Sequence, residues 1–93
     1  MPKSFFSEKV CTELDLHMLT RAQAEMELYD FLDKSYALGF HKVRIITGKG
    51  LNSENRQSVL KPLVQEILKK EKLRFKDAKI NEGGAGAIDV WLF

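Results

Sequence analysis

Cysteine and long apolar runs are scarce in this sequence, and each scarcity excludes a class of protein. Cys11 is the only cysteine among 93 residues, so the chain can form neither an internal disulfide nor a cysteine-based metal cluster. No apolar stretch approaches the length that spans a membrane, and residues 1–10 hold no hydrophobic run of the kind found in signal peptides. We therefore expect a cytoplasmic protein with no membrane partner.

The sequence also lacks a strong excess of charge of either sign. Fifteen basic and 13 acidic residues leave a formal net charge of +2, which does not by itself predict a polyanionic partner. Hydrophobic residues make up 44% and charged residues 30%, a composition typical of soluble globular domains. We expect a short lead-in over residues 1–10 and one monomeric domain over residues 11–93, with no internal repeat and no linker.

Hydrophobic spacing alternates between strand and helix periods along the chain. Leu14 and Leu16 alternate with acidic residues, which is typical of a half-buried strand, and Thr20 is a suitable N-cap for the helix that follows. Gly39 is suited to ending that helix. The predicted order is β-α-β-α-β-β, with strands at Cys11–His17 and Lys42–Thr47, helices at Arg21–Leu38 and from Ser58 or Val59 onward, a weaker strand at Phe75–Ile80 and a final strand at Ala87–Phe93.

This order predicts a two-layer α+β sandwich, in which two helices cover one face of a four-stranded mixed sheet. A helix between the first two strands favours parallel pairing, and a short glycine-rich turn makes the last two strands an antiparallel hairpin. The side chains expected under the helices are Leu14, Leu16, Val43, Ile45, Val90 and Leu92. The open face is expected to carry Glu13, Asp15, Arg44 and Asp89. Trp91 is predicted to pack in the core; the alternative is the open face, where a base could stack on it.

Asp15 and His17 form the first group that could carry chemistry. Residues two apart on a strand point to the same side, so the carboxylate and imidazole would meet at the C-terminal end of a strand, where α/β sheets usually place ligands. A carboxylate can orient a histidine and hold it as a general acid or base. The alternative is structural: Asp15 caps the next helix or pairs with a lysine, and His17 is an exposed loop residue. Because Asp-x-His is a weak motif, residue types alone favour the structural role.

Two glycine-rich segments form the second group. Thr47-Gly48-Lys49-Gly50 ends the second strand, where glycines let the backbone approach a phosphate and Lys49 adds charge; a tight turn requiring positive φ is the alternative. The segment Gly83-Gly84-Ala85-Gly86 holds more glycine than a hairpin turn requires, which suits either a sharply bent loop beside a ligand or a flexible connection.

Taken in order, these segments resemble the Smr (small MutS-related) domain family. Residues 13–20, ELDLHMLT, are similar to its opening Leu-Asp-Leu-His-Gly-x-Thr signature. Residues 45–50, IITGKG, resemble its strand and Gly-x-Gly loop, and residues 83–87, GGAGA, its third motif before a terminal strand. The resemblance covers residues 11–93 and suggests a stand-alone or single-domain member. Met18 departs from the pattern, since the family usually has glycine there; the turn after His17 is made either without positive φ or with strain.

The resemblance implies a fold like the C-terminal domain of bacterial translation initiation factor three, and endonuclease activity on RNA or DNA. It assigns Asp15 and His17 to cleavage. No cofactor is evident and the sequence lacks a carboxylate cluster for two metal ions, which leaves a divalent-metal requirement open.

Nucleic acid is the expected partner, and the family adds the ribosome as a further one. The alternatives are a catalytically silent nucleic-acid-binding module and a protein-interaction domain. The residues expected to contact nucleic acid are Thr47, Gly48, Lys49, Gly50, Gly83, Gly84 and Gly86.

Overall fold

The computed structural model describes residues 9–48, 60–79 and 86–93, and within them the predicted element order is confirmed. A four-stranded mixed sheet carries two helices, which is the predicted α+β class. The elements are β1 (Thr12–Asp15), α1 (Arg21–Ala37), β2 (Lys42–Ile46), α2 (Leu60–Lys70), β3 (Arg74–Asp77) and β4 (Ala87–Trp91).

The last strand lies inside the sheet, not at its edge. The strand order is β1-β2-β4-β3, with β1 and β2 parallel, as the intervening helix predicts. β4 pairs antiparallel with β2 on one side and with β3 on the other. β4 is therefore a central strand, and all its residues up to Val90 are buried.

The hydrophobic core lies between the helices and one face of the sheet. α1 contributes Ala24, Leu28 and Leu32, and α2 contributes an apolar stripe at helical spacing. The predicted sheet contribution is confirmed, because Leu16, Val43, Ile45, Val90 and Leu92 are buried and Leu14 packs half-buried against the same cluster.

Capping defines the bounds of α1. The Thr20 side chain accepts a hydrogen bond from the N–H of Gln23, and the Gln23 side chain accepts one from the N–H of Thr20, which completes a capping box. The helix ends at Ala37, one residue earlier than predicted, and Gly39 follows with φ +79°. None of the helices in the described part of the chain has the length and apolarity needed to cross a bilayer.

All four strands end earlier than predicted, β2 by one residue and β4 by two, and the differences are larger in β1 and β3. β1 ends at Asp15 and not at His17, because the chain turns there and the Leu19 N–H donates to the Leu16 carbonyl at 3.0 Å. β3 occupies residues 74–77, ahead of the predicted 75–80, and Ile80 lies outside the described residues. Short strands have weak periodic signals, and their ends depend on which neighbours they pair with.

The open face of the sheet carries an ion-pair network, as its predicted polar residues imply. Arg44 donates to both oxygens of Asp89, from Nε at 2.7 Å and from Nη2 at 3.2 Å. Glu13 lies 3.7 Å from Arg44, and the Lys42 Nζ lies 3.6 Å from Asp89. The Arg44 and Asp89 side chains are only 10% and 4% exposed, so this polar face encloses a buried charge pair.

The preferred placement of Trp91 in the core is wrong. Val90 and Leu92 face the helices, and successive residues of a strand point to opposite faces, so Trp91 lies on the open face. Its size and apolarity suggested burial. The alternation of Trp91 with Val90 and Leu92 correctly indicates the open face.

Candidate functional site

The candidate site lies at the edge of the sheet where β1 and β2 both end. Asp15 is paired in register with Ile46, and the Leu16 N–H donates to the Ile46 carbonyl at 2.8 Å. Because the two strands are parallel, their C-terminal ends meet at this edge. The residues that follow each strand are therefore brought together, as the sequence predicts.

Asp15 and His17 are in direct contact. The His17 Nδ1 lies 2.5 Å from the Asp15 Oδ1, and the His17 backbone N–H donates to the same oxygen at 3.0 Å. Since β1 ends at Asp15, this contact comes from a turn in which the aspartate binds the backbone two residues on, and not from strand alternation as predicted. The carboxylate thus orients the imidazole through both its ring and its backbone.

The electrostatics of the pair favour a charged carboxylate. The side-chain hydrogen bond from His17 holds the pKa of the Asp15 carboxyl below its ordinary value; partial burial opposes this and raises the pKa, while the His17 backbone N–H lowers it further. The two side chains are 51% and 53% exposed, so a large ligand can reach them. With Nδ1 bound to Asp15, the Nε2 atom is on the far side of the ring, and no described residue hydrogen-bonds it.

Met18, the residue after His17, has a strained backbone conformation. Its φ is +85°, in the left-handed region, and the turn closes with the Leu19 N–H on the Leu16 carbonyl at 3.0 Å. A positive φ at the third residue of such a turn is the geometry that usually requires glycine. Of the two possibilities raised by the sequence, the chain adopts the strained one, and His17 still reaches Asp15. The Met18 side chain is 88% exposed.

Gly48 lies against His17. Its φ is +84°, and a Cβ built there would lie 3.2 Å from the Cβ of His17. The backbone conformation favours glycine and the close approach is tight for any Cβ, so the turn of positive φ, which was the alternative for this segment, is present at this position. A side chain at residue 48 would press on the histidine and disturb its contact with Asp15.

Thr47 and Gly86 connect the end of β2 to the start of β4. The N–H groups of Thr47 and Gly48 both donate to the Gly86 carbonyl, at 2.9 and 3.1 Å, and the Thr47 hydroxyl lies 3.4 Å from the same oxygen. Thr47 is 3% exposed and Gly86 is buried. These hydrogen bonds engage the Gly48 N–H and the Gly86 carbonyl with one another, and a contact of Thr47, Gly48 or Gly86 with nucleic acid stays a prediction.

The remaining predicted contacts lie outside the described residues: Lys49, Gly50, Gly83 and Gly84. In the described ranges, no group of three or more His, Cys, Asp or Glu side chains is arranged to hold a metal ion. The described site therefore consists of Asp15, His17, Met18 and the Gly48 backbone.

Sequence reasoning missed the basic surroundings of Trp91. The Lys42 Nζ lies 5.0 Å and the Arg74 Cζ 5.8 Å from the centre of a Trp91 ring. These residues belong to three different strands, and only the pairing register brings them together. A closer reading of the alternation around Val90 and Leu92 would have placed Trp91, but its partners required the strand order.

Comparison with known proteins gives consistent results. The sequence model of the Smr domain family matches residues 14–93. Endonuclease MutS2 of Carboxydothermus hydrogenoformans is 35% identical over 82 residues, which cover 86% of this chain but 10% of that protein. The chain thus spans about a tenth of the length of the curated relatives it matches.

Solved structures show the same fold. The crystal structure of the Smr domain of Thermus thermophilus MutS2 has a TM-score of 0.75 and 33% identity, covering 86% of this chain and 95% of that one. YdaL, a stand-alone small MutS-related protein from Escherichia coli, has a TM-score of 0.82 at 23% identity, covering 92% of this chain and 69% of that one; this likeness concerns the fold alone.

Proposed function

The chain belongs to the Smr domain family, and we propose that it binds nucleic acid and cuts the phosphodiester backbone with Asp15 and His17. The observation that carries this proposal is the 2.5 Å contact between the Asp15 carboxylate and the His17 ring at an exposed sheet edge. Its relatives support it, since the MutS2 proteins that it matches are named endonucleases.

The chemistry assigned to the pair is proton transfer. The Asp15 carboxylate accepts a hydrogen bond from the Nδ1–H of His17, which fixes the tautomer whose Nε2 can accept a proton, and its charge stabilises the imidazolium that forms. On RNA, His17 takes the proton of a 2′-hydroxyl as the O2′–P bond forms and the P–O5′ bond breaks, and water protonates the leaving 5′-oxygen. In the alternative, water takes the 2′-hydroxyl proton and the His17 imidazolium gives a proton to the leaving 5′-oxygen. On DNA the attacking group would be water: the same nitrogen would take its proton as the new O–P bond forms, the P–O bond to the departing sugar oxygen would break, and solvent would protonate that oxygen.

Phosphate binding is assigned to Lys49 and not to the Gly48 amide. A cation beside the reacting phosphate offsets the charge that develops in the transition state. Lys49 directly follows Gly48, whose Cα lies next to His17. The Gly48 N–H donates to Gly86 and contributes by holding the loop against the histidine.

A cleavage assay tests the proposal. Purified protein is incubated with labelled single- and double-stranded RNA and DNA, with and without a chelator. We expect at least one substrate to be cut, and cleavage by His17→Ala and Asp15→Asn to be lost while the fold and most of the binding remain. The double variant should be hardly worse than either single one, because residues that act as a unit are non-additive.

The chain offers matched controls for both substitutions. His41, the second histidine, lies against Phe93 at the opposite end of β2. Asp30 is an exposed aspartate that pairs with Lys34 on α1. His41→Ala and Asp30→Asn should leave cleavage unchanged. Full cleavage by a folded His17→Ala protein would overturn the catalytic assignment, binding without cleavage would indicate a silent module, and salt-independent or absent binding would favour a protein-interaction domain.

A further inference from the structure

Lys42, Trp91 and Arg74 form a row across three strands on the open face of the sheet. Trp91 on β4 is paired in register with Lys42 of β2 on one side and with Arg74 of β3 on the other. Both cations lie within 6 Å of the indole, at 5.0 and 5.8 Å from a ring centre. The indole is half-buried, so part of its surface is available to a ligand, and Arg74 is exposed.

The next row of this face adds to its basic character. Lys76 stands in register with Asp89, and the Asp89 carboxylate is bound by Arg44 at 2.7 Å. The same carboxylate lies 3.6 Å from the Lys42 Nζ and so offsets part of the charge of both Arg44 and Lys42, whereas Lys76 is exposed. In the described strands, the surface around Trp91 is thus cationic, with the nearest carboxylate bound within the sheet.

An aromatic ring between two cations is suited to a nucleotide. A base stacks on the indole or on the planar Arg74 guanidinium, while the cations contact the phosphates on either side. An acidic peptide would use the cations but would leave the ring without a matching partner, and a regular duplex keeps its bases stacked inside. We propose that this row, which we call the Trp91 platform, binds one base and the adjoining phosphates of a single-stranded nucleic acid.

The platform and the candidate site lie on one path. Asp15 points to the same face as Trp91, because both alternate with residues of the core. Asp15 pairs with Ile46 of β2, and Trp91 pairs with Lys42 of β2. These two β2 residues are four positions apart, which is roughly 13 Å at the rise of a strand. A strand with one phosphate at His17 can therefore run along the open face to the platform. This inference rests on the proposed function and gives it a substrate class, a single-stranded segment.

Trp91 is the only tryptophan in the chain, so its fluorescence reports on the platform without any substitution. The probe is an oligothymidylate of about 12 nucleotides, within the site size of single-strand-binding surfaces, which also lacks the 2′-hydroxyl. We expect saturable quenching of the Trp91 emission by this probe. Polyphosphate and polyglutamate of matched charge should not quench, and the same sequence as a duplex should quench only at much higher concentration.

Variants separate stacking from charge. Trp91→Leu should weaken binding about 5- to 150-fold, the range for losing one base stacked on an aromatic ring, and Trp91→Phe should restore most of it. Arg74→Ala should weaken binding and lower the salt slope by about one phosphate contact. Lys70→Ala, an exposed lysine at the end of α2, is the matched control and should change neither.

The outcomes distinguish this inference from the proposed function. Cleavage by the wild-type protein without any Trp91 quenching would overturn the platform and leave the function intact. Quenching without cleavage would support the platform and contradict the catalytic role of Asp15 and His17. Equal quenching by polyglutamate would overturn the platform in favour of an acidic peptide surface, and equal affinity for the duplex would overturn the single-strand preference.

Discussion

The buried pair of Arg44 and Asp89 allows a specific prediction about the free energy of unfolding. Asp89 accepts two hydrogen bonds from Arg44, and the two side chains are 10% exposed or less. Replacing Asp89 by Val removes both of these hydrogen bonds and leaves the buried guanidinium with the half-exposed Glu13 carboxylate, 3.7 Å away. Such losses cost about 3–5 kcal/mol, a large part of the roughly 5–15 kcal/mol that stabilises a domain.

Removing both charges should cost less than removing one. In the Arg44→Met/Asp89→Val double variant no guanidinium remains buried without a partner, and buried ion pairs replaced by apolar residues are often close to neutral in stability. Lys42 loses its contact with Asp89, and Glu13, half exposed, loses its contact with Arg44. We therefore expect the double variant to be more stable than Asp89→Val alone.

Urea unfolding followed by far-ultraviolet circular dichroism measures each variant. The matched control is Asp30→Ala, which breaks the exposed pair with Lys34 on α1 and should cost about 0.5 kcal/mol or less. If Asp89→Val is too unstable to fold while the double variant folds, the same ordering is established. An Asp89→Val variant no less stable than Asp30→Ala, or a double variant no more stable than Asp89→Val, would refute the reasoning.

Four other changes test the core, the phosphate loop, the Asp15–His17 pair and the strained turn. Ile45→Ala is expected to lower the free energy of unfolding by about 2–5 kcal/mol, because its side chain is fully buried; a loss near zero in denaturant unfolding would place it outside the core. Lys49→Ala should weaken binding to every nucleic acid alike and lower the salt slope by about one contact, and an unchanged slope would remove Lys49 from the site. Because the pKa of Asp15 is lowered in the folded protein, its charged form stabilises the fold at pH values above its ordinary pKa. This stabilisation is lost as the pH falls through the lowered pKa. A nuclear magnetic resonance titration should find the lowered pKa in the wild type and a return towards the ordinary value in His17→Ala. Met18→Gly should stabilise the protein by up to about 1 kcal/mol, because the backbone strain of the positive φ that glycine removes outweighs the extra entropy of glycine in the unfolded chain. A gain of equal size in Met18→Ala would show that strain is not the cause.

Local patterns predicted the elements well wherever a cap or a strong period was present. Thr20 and Gly39 mark the ends of α1 through a capping box and a positive φ, and both act over a few residues. The contact between Asp15 and His17 is also local: the sequence predicts that they meet, although a turn two residues long brings them together and not the predicted strand alternation. Such features depend on the chain near them, which is why the sequence alone is sufficient to find them.

Contacts between distant segments depended on the strand order. Nothing in the sequence places β4 between β2 and β3, yet this placement sets Arg44 against Asp89 and Trp91 between its two cations. It also bonds the N–H groups of Thr47 and Gly48 to the Gly86 carbonyl.

The sequence by itself thus determined the alternation of strands and helices, the face that each strand buries, and the pair at the end of β1. It did so because periodicity and turn chemistry act over a few residues. Tertiary structure alone decided the buried charge pair, the cations around Trp91, the glycine that His17 requires at residue 48, and the strained φ of Met18. Each of these arises from side chains or backbone that meet across strands or in a closed turn, where hydrogen bonding and close packing, not local preference, set the geometry.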